Sequence, residues 1–103
     1  MARRINRAIE KLNLQQPIYY TGDHINHRLN YEAGIKDSNT WADYINIGME
    51  HGVLDGSGLD AYMRGLKEGG PTGSGHTTPT VIAELPVTGS SRANIMSNAW
   101  QIT

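Results

Sequence analysis

The sequence has no cysteine, so neither disulfides nor thiolate metal sites can stabilise it, and any metal must be held by oxygen or imidazole ligands. That usage fits the cytoplasm. Long apolar runs are missing too: no segment approaches the ~18 residues of a membrane span, and no basic start leads into the ~7–15-residue apolar stretch of an export signal. Neither membrane insertion nor export is expected. Charge of one sign is also lacking, because nine Lys/Arg stand against ten Asp/Glu for a net charge of -1, and a phosphate-neutralising surface needs a basic surplus. Nucleic acid is therefore not expected as a partner. The one basic cluster, Arg3, Arg4 and Arg7, reads as a solvated helix face that serves solubility.

What is present suits one small water-soluble domain: 103 residues, 38% hydrophobic and 18% charged, is ordinary for a chain with a single core. From Ala2 to Leu12, Ile5, Ala8, Ile9 and Leu12 recur at three- and four-residue spacing and predict a short amphipathic helix. Pro17 opens the β-prone triplet Ile18-Tyr19-Tyr20, which Thr21-Gly22 ends, for a first strand near residues 17–21. A weaker helical pattern covers His24 to Lys36, with Asp23 offered as its cap. Trp41 to Met49 alternates in part and predicts a second strand, running into the polar tip Glu50-His51-Gly52.

Leu59, Tyr62, Met63 and Leu66 form one face of a helix expected over Ser57–Glu68, with Asp55 and Ser57 available as caps and Gly69-Gly70-Pro71 as the stop. After the loop Gly73-Ser74-Gly75-His76-Thr77-Thr78, the β-branched run from Pro79 to Pro86 predicts the third strand. A last helix is expected between Ser90 and Ile102. Strands alternating with helices imply parallel pairing with right-handed crossovers, the doubly wound or barrel class of α/β fold.

In a barrel, catalytic groups sit at the C-terminal ends of the strands, which is where Glu50 and His51 fall after the second strand. A histidine there either acts as a general base, its ordinary pKa of about 6.5 lying near working pH, or caps the strand end. Asp23-His24-x-x-His27 places two imidazoles three apart, but without further ligands at fixed spacing it reads as polar surface. The glycine-rich stretch from Gly69 to His76 precedes a strand, whereas phosphate loops follow a strand and open a helix. Most of Tyr19, Tyr44, Tyr62 and the two tryptophans are expected to pack in the core or at interfaces, with Trp100 placed for a subunit contact.

Tyr19-Tyr20-Thr21-Gly22, Thr40-Trp41-Ala42-Asp43-Tyr44-Ile45, Met49-Glu50-His51-Gly52, Gly69-Gly70-Pro71-Thr72, Gly75-His76-x-Thr78-Pro79 and Asn98-Ala99-Trp100, in this order and spacing, resemble the opening stretch of the HpcH/HpaI aldolases. The resemblance implies a partial (β/α)8 TIM barrel, with residues 1–103 as a single incomplete barrel domain holding an N-terminal helix and about three β/α units. It implies a carbon–carbon lyase that cleaves or forms 4-hydroxy-2-oxo acids from a 2-oxo acid and an aldehyde. A divalent metal, Mg²⁺ or Mn²⁺, would stabilise the pyruvate enolate as a Lewis acid. His51 takes the acid/base role beside Glu50; Gly75, His76 and Glu84 are the candidate substrate-binding residues.

Two departures from the family pattern accompany the resemblance. Where many members carry an arginine that clamps the pyruvate carboxylate, this chain has Ala83-Glu84-Leu85-Pro86. The family's acidic metal ligands come from later strands, so no metal ligand is assigned here, and this chain alone is expected to be inactive. A homo-oligomer or a remaining barrel segment is the expected protein partner. The alternative is a small non-catalytic α/β protein, derived from the barrel, that binds or assembles.

Overall fold

Each helix begins at a residue whose side chain replaces a missing backbone partner, the chemistry that Asn and Asp perform best at a helix N-terminus. A computed structural model of the chain describes residues 6–23, 27–50 and 54–85. Helix α1 spans Arg7–Asn13, and the Asn6 side chain accepts from the Ile9 N–H at 2.8 Å. Helix α2 spans Tyr31–Asp37, with Asn30 accepting from the Ala33 N–H at 2.7 Å. Helix α3, Gly56–Gly69, is capped by Asp55 on the Gly58 N–H at 2.8 Å. The strands are β1 (Tyr20–Asp23), β2 (Tyr44–Gly48) and β3 (Thr80–Glu84), and they pair in parallel in the order β1-β2-β3.

Parallel pairing in chain order, with a helix between successive strands, is therefore a property of the structure. Several boundaries differ from the sequence reading. Asp23 ends β1 and does not cap α2; that role falls to Asn30, seven residues later. β1 starts at Tyr20 because the Tyr19 N–H donates to the Asp43 carboxylate at 2.9 Å. β2 starts only at Tyr44, and Trp41, expected within a strand, is 70% exposed in the bend that precedes it. The expected helix between Ser90 and Ile102 lies outside the described residues, as do Arg3 and Arg4.

Side chains alternate along a strand, so Ile45 and Ile47 share one face with their register partners Val81 and Ala83. On that face Ile45, Ile47 and Met49 pack with Tyr62 and Leu66 of α3 into a buried cluster, flanked by Leu29 and Ala33. Burying one side chain of this size stabilises by roughly 1.5–3 kcal/mol. The opposite face carries Tyr20, Gly22, Tyr44, Asn46, Gly48, Thr80, Ile82 and Glu84, and is mostly polar or aromatic.

Helices α2 and α3 meet through glycine. A Cβ at Gly65 would collide with the Tyr31 carbonyl oxygen and stand 2.9 Å from the Gly34 Cα, while one at Gly34 would strike the Tyr62 carbonyl. This approach brings the fully buried Tyr62 against α2, where its hydroxyl donates to Asp37 at 2.7 Å. His27 packs edge-on to the Tyr62 ring at 5.1 Å, with 11% of its side chain exposed. It is thus a packed residue and not the polar surface expected from the sequence. Burial and the Asp37 carboxylate together push the Tyr62 phenol well above its ordinary pKa.

The sign of one substitution tests this crossing. Alanine in place of an exposed helical glycine stabilises by roughly 1 kcal/mol, but Gly65→Ala is expected to destabilise by about 1–3 kcal/mol through overpacking. Urea unfolding followed by circular dichroism reads the difference. A midpoint that rises would show that the helices do not touch at Gly65.

Candidate functional site

Parallel strands give the sheet two chemically distinct ends, and the chain places polar groups at both. At the C-terminal end Glu84 closes β3 beside Gly48, its register partner on β2. The buried Asn46 donates from Nδ2 to Glu84 Oε1 at 2.5 Å, diagonally across the same face. A carboxylate only accepts hydrogen bonds, so this contact fixes which way the Asn46 amide points. Gly22 and Gly48 flank the pair without side chains. The approach at Gly22 is too close for any other residue, since a Cβ there would collide with the Asn46 carbonyl oxygen, and its φ of 130° favours glycine.

Glu50 follows β2 by two residues and is half-buried. His51, the expected acid/base residue, lies outside the described residues. Tyr20 and Tyr44 stack at 5.3 Å between centroids near the other end of the strands, on the face that bears Asn46 and Glu84. Among the described residues no three His, Asp or Glu side chains converge to hold a metal ion. Glu50 and Glu84 therefore do not by themselves fit the divalent metal that the resemblance implies.

At the N-terminal end the central group is Asp43, one residue before β2 and 3% exposed. Arg7 Nε approaches its Oδ1 at 2.7 Å and Lys11 Nζ the same oxygen at 3.0 Å, while the Tyr19 N–H donates to Oδ2 at 2.9 Å. Arg7, expected to serve solubility, is instead a structural cation that anchors α1 to the sheet. Burial alone would push the Asp43 carboxyl up, but the Tyr19 N–H, Lys11 and Arg7 outweigh it and hold the pKa below its ordinary value.

Gly75 and His76, expected to bind substrate, belong to this same end. His76 precedes β3 by four residues, and its Nε2 meets Glu10 Oε1 of α1 at 3.0 Å. The loop holding them does not fold back toward Glu50 and Glu84, because α1, its partner, is fastened to Asp43 at the start of β2. The sheet thus separates the expected site into Glu50 and Glu84 at one end and Gly75 and His76 at the other. Asn46, Asp43 and Glu10 went unnoticed as site residues in the sequence. Of these only Asn46 left a trace, as an amide among the apolar residues of β2.

Comparison with family models, with curated proteins and with solved structures finds no match to this chain.

Removing the Asp43 charge tests the N-terminal cluster. Its folded-state pKa lies below the ordinary value of 3.8, so its stabilisation is complete above that pH and is lost as pH falls through the lowered folded value. Asp43→Asn is expected to cost about 2 kcal/mol at neutral pH, the scale of hydrogen bonds to a charged group. The gap between the wild type and the variant should close in acid below pH 3.8. Unfolding curves measured from pH 7 to pH 2 that stay parallel would contradict the assignment.

Proposed function

We propose that the chain supplies the first β/α units of an HpcH/HpaI-type aldolase barrel and works as a carbon–carbon lyase on 4-hydroxy-2-oxo acids once that barrel is complete. One observation carries the reading. Three parallel strands in chain order hold an apolar face against two helices and turn a face bearing Asn46 and Glu84 the other way, with Glu50 following β2. In a (β/α)8 barrel, the helix-clad face is the outer one and polar groups at the C-terminal strand ends form the active site. Among the described residues β1 and β3 are the outer strands of the sheet, the positions from which a parallel sheet extends into a barrel.

Within this reading His51 moves the proton, and a base needs hydrogen-bond reach to the atom it serves. Glu50, its neighbour in sequence, orients it. Glu84, held by Asn46, faces the substrate as a hydrogen-bond acceptor, so it receives a hydroxyl and repels a carboxylate. The carboxylate of a 2-oxo acid must then be bound by groups from other β/α units. The divalent metal supplies Lewis-acid stabilisation of an enolate when bound, and its ligands are likewise assigned to those units. Gly75 and His76, at the opposite end, take no part.

The test is pyruvate release from a 4-hydroxy-2-oxo acid with Mn²⁺, run on the 103-residue chain alone and on the chain co-folded with the remaining β/α units of an aldolase of this type. The chain alone should stay at background. The complemented barrel should turn over and lose about 100-fold or more in His51→Ala, the usual worth of a general acid–base group. Turnover by the chain alone, or a complemented barrel indifferent to His51, would overturn the proposal.

A further inference from the structure

The loop before β3 and helix α1 together build a hydrogen-bonded relay that the aldolase reading does not use. Ser74 Oγ lies 2.9 Å from His76 Nδ1, and His76 Nε2 lies 3.0 Å from Glu10 Oε1. Thr72 Oγ1 lies 2.9 Å from Ser74 Oγ and accepts from the His76 backbone N–H at 3.1 Å. The Thr72 N–H donates to the His76 carbonyl at 2.8 Å, and the Gly75 N–H to the Thr72 carbonyl at 3.0 Å. The turn is therefore pinned by its backbone. Gly75, at a φ of 85°, supplies the left-handed residue that lets Ser74 and His76 face each other.

The proton positions follow from donor and acceptor chemistry. The Glu10 carboxylate only accepts, so Nε2 carries a proton toward it, and in the neutral form of the His76 ring Nδ1 is then the lone pair. Ser74 then donates its hydroxyl proton to Nδ1, which leaves Thr72 as the donor to the Ser74 oxygen. In that form a nucleophile points its proton at an imidazole, the imidazole is oriented by a carboxylate, and a second hydroxyl fixes the position of the Ser74 oxygen. Nucleophile, base and orienter within hydrogen-bond reach of one another is the arrangement that activates a serine.

The surroundings supply both shielding and access. Only 11% of the His76 side chain is exposed, whereas Ser74 is open to solvent. Glu10, Ser74 and His76 line an open cleft of about 480 Å³ with Met63, Pro79 and Val81 on its walls. This volume suits a small molecule with an apolar group.

We propose that Ser74, His76 and Glu10 form an acyl-transfer site for small uncharged esters, independent of any aldolase chemistry. Ser74 Oγ attacks the ester carbonyl carbon as its proton passes to His76 Nδ1. Collapse of the tetrahedral adduct breaks the bond to the alcohol, which leaves with that proton, and the acyl group stays on Ser74. Water then attacks the acyl-serine, gives its proton to Nδ1, and releases the carboxylic acid as Ser74 recovers its hydrogen. Ser74 and His76 are the catalytic residues. Glu10 is a positioning residue that acts through the ring tautomer.

The experiment uses the whole chain and a fluorophosphonate, which reacts only with activated serines. Mass spectrometry should find one label, on Ser74, and His76→Ala should slow labelling by about 100-fold while leaving the far-UV spectrum unchanged. Glu10→Gln should slow it less and should turn the ¹⁵N spectrum of the His76 ring from a single Nε2–H tautomer into a mixture, a change that loss of packing alone does not produce. Ser74→Cys gives a second reading in a chain with no other thiol. Its alkylation by iodoacetamide should outpace that of the same variant carrying His76→Ala. An unlabelled Ser74, or labelling and alkylation rates that ignore His76, would overturn the proposal.

Discussion

A single buried carboxylate joins three parts of the chain that sequence keeps apart. Asp43 receives Arg7 and Lys11 from α1 and the Tyr19 N–H from the approach to β1, and it stands one residue before β2. Its own N–H donates to the Tyr19 carbonyl at 2.8 Å, so the side chain and backbone of one residue set where β1 and β2 begin to pair. An unpaired charge at this depth would be costly. The two cations remain about a third exposed, which spares them most of that desolvation. α1 is consequently fixed at the N-terminal end of the sheet, and with it Glu10, which meets His76 in front of β3.

The opposite constraint is the absence of side chains. Gly34 and Gly65 let α2 and α3 approach until backbone meets backbone, and that approach seats Tyr62 between the helices and the apolar face of β2. With those helices on one face of the sheet, Tyr20, Tyr44, Asn46 and Glu84 fall on the other. The three parallel strands thus keep one apolar face against the helices and one mostly polar or aromatic face on the other side.

Much of this frame was legible in the sequence. The β-branched run Thr80-Val81-Ile82 and the spacing of Leu59, Tyr62, Met63 and Leu66 located β3 and α3 to within about a residue or two, because period and propensity agree there. Tertiary contacts decided the rest. Trp41 alternates with β2 in sequence, yet the Asp43 cluster starts the strand at Tyr44. Arg7 carried the same signal as any surface arginine, and nothing local foretold its partner thirty-six residues away. Likewise motif order alone puts Gly75 and His76 with Glu50, whereas the fold sends them to the other end of the strands, where His76 meets Glu10. A pattern in sequence reports spacing along the chain and not which end of a sheet a loop occupies.

The central proposal is that the Asn46 and Glu84 face forms the inner wall of a barrel whose chemistry lies at the C-terminal strand ends. Amide shift mapping of the isotopically labelled chain within a completed barrel, titrated with pyruvate and Mg²⁺, tests it most directly. The account predicts shifts at Asn46, Gly48, Glu50 and Glu84, with the Gly73 to His76 loop unmoved. Shifts confined to that loop, with the C-terminal strand ends silent, would contradict it.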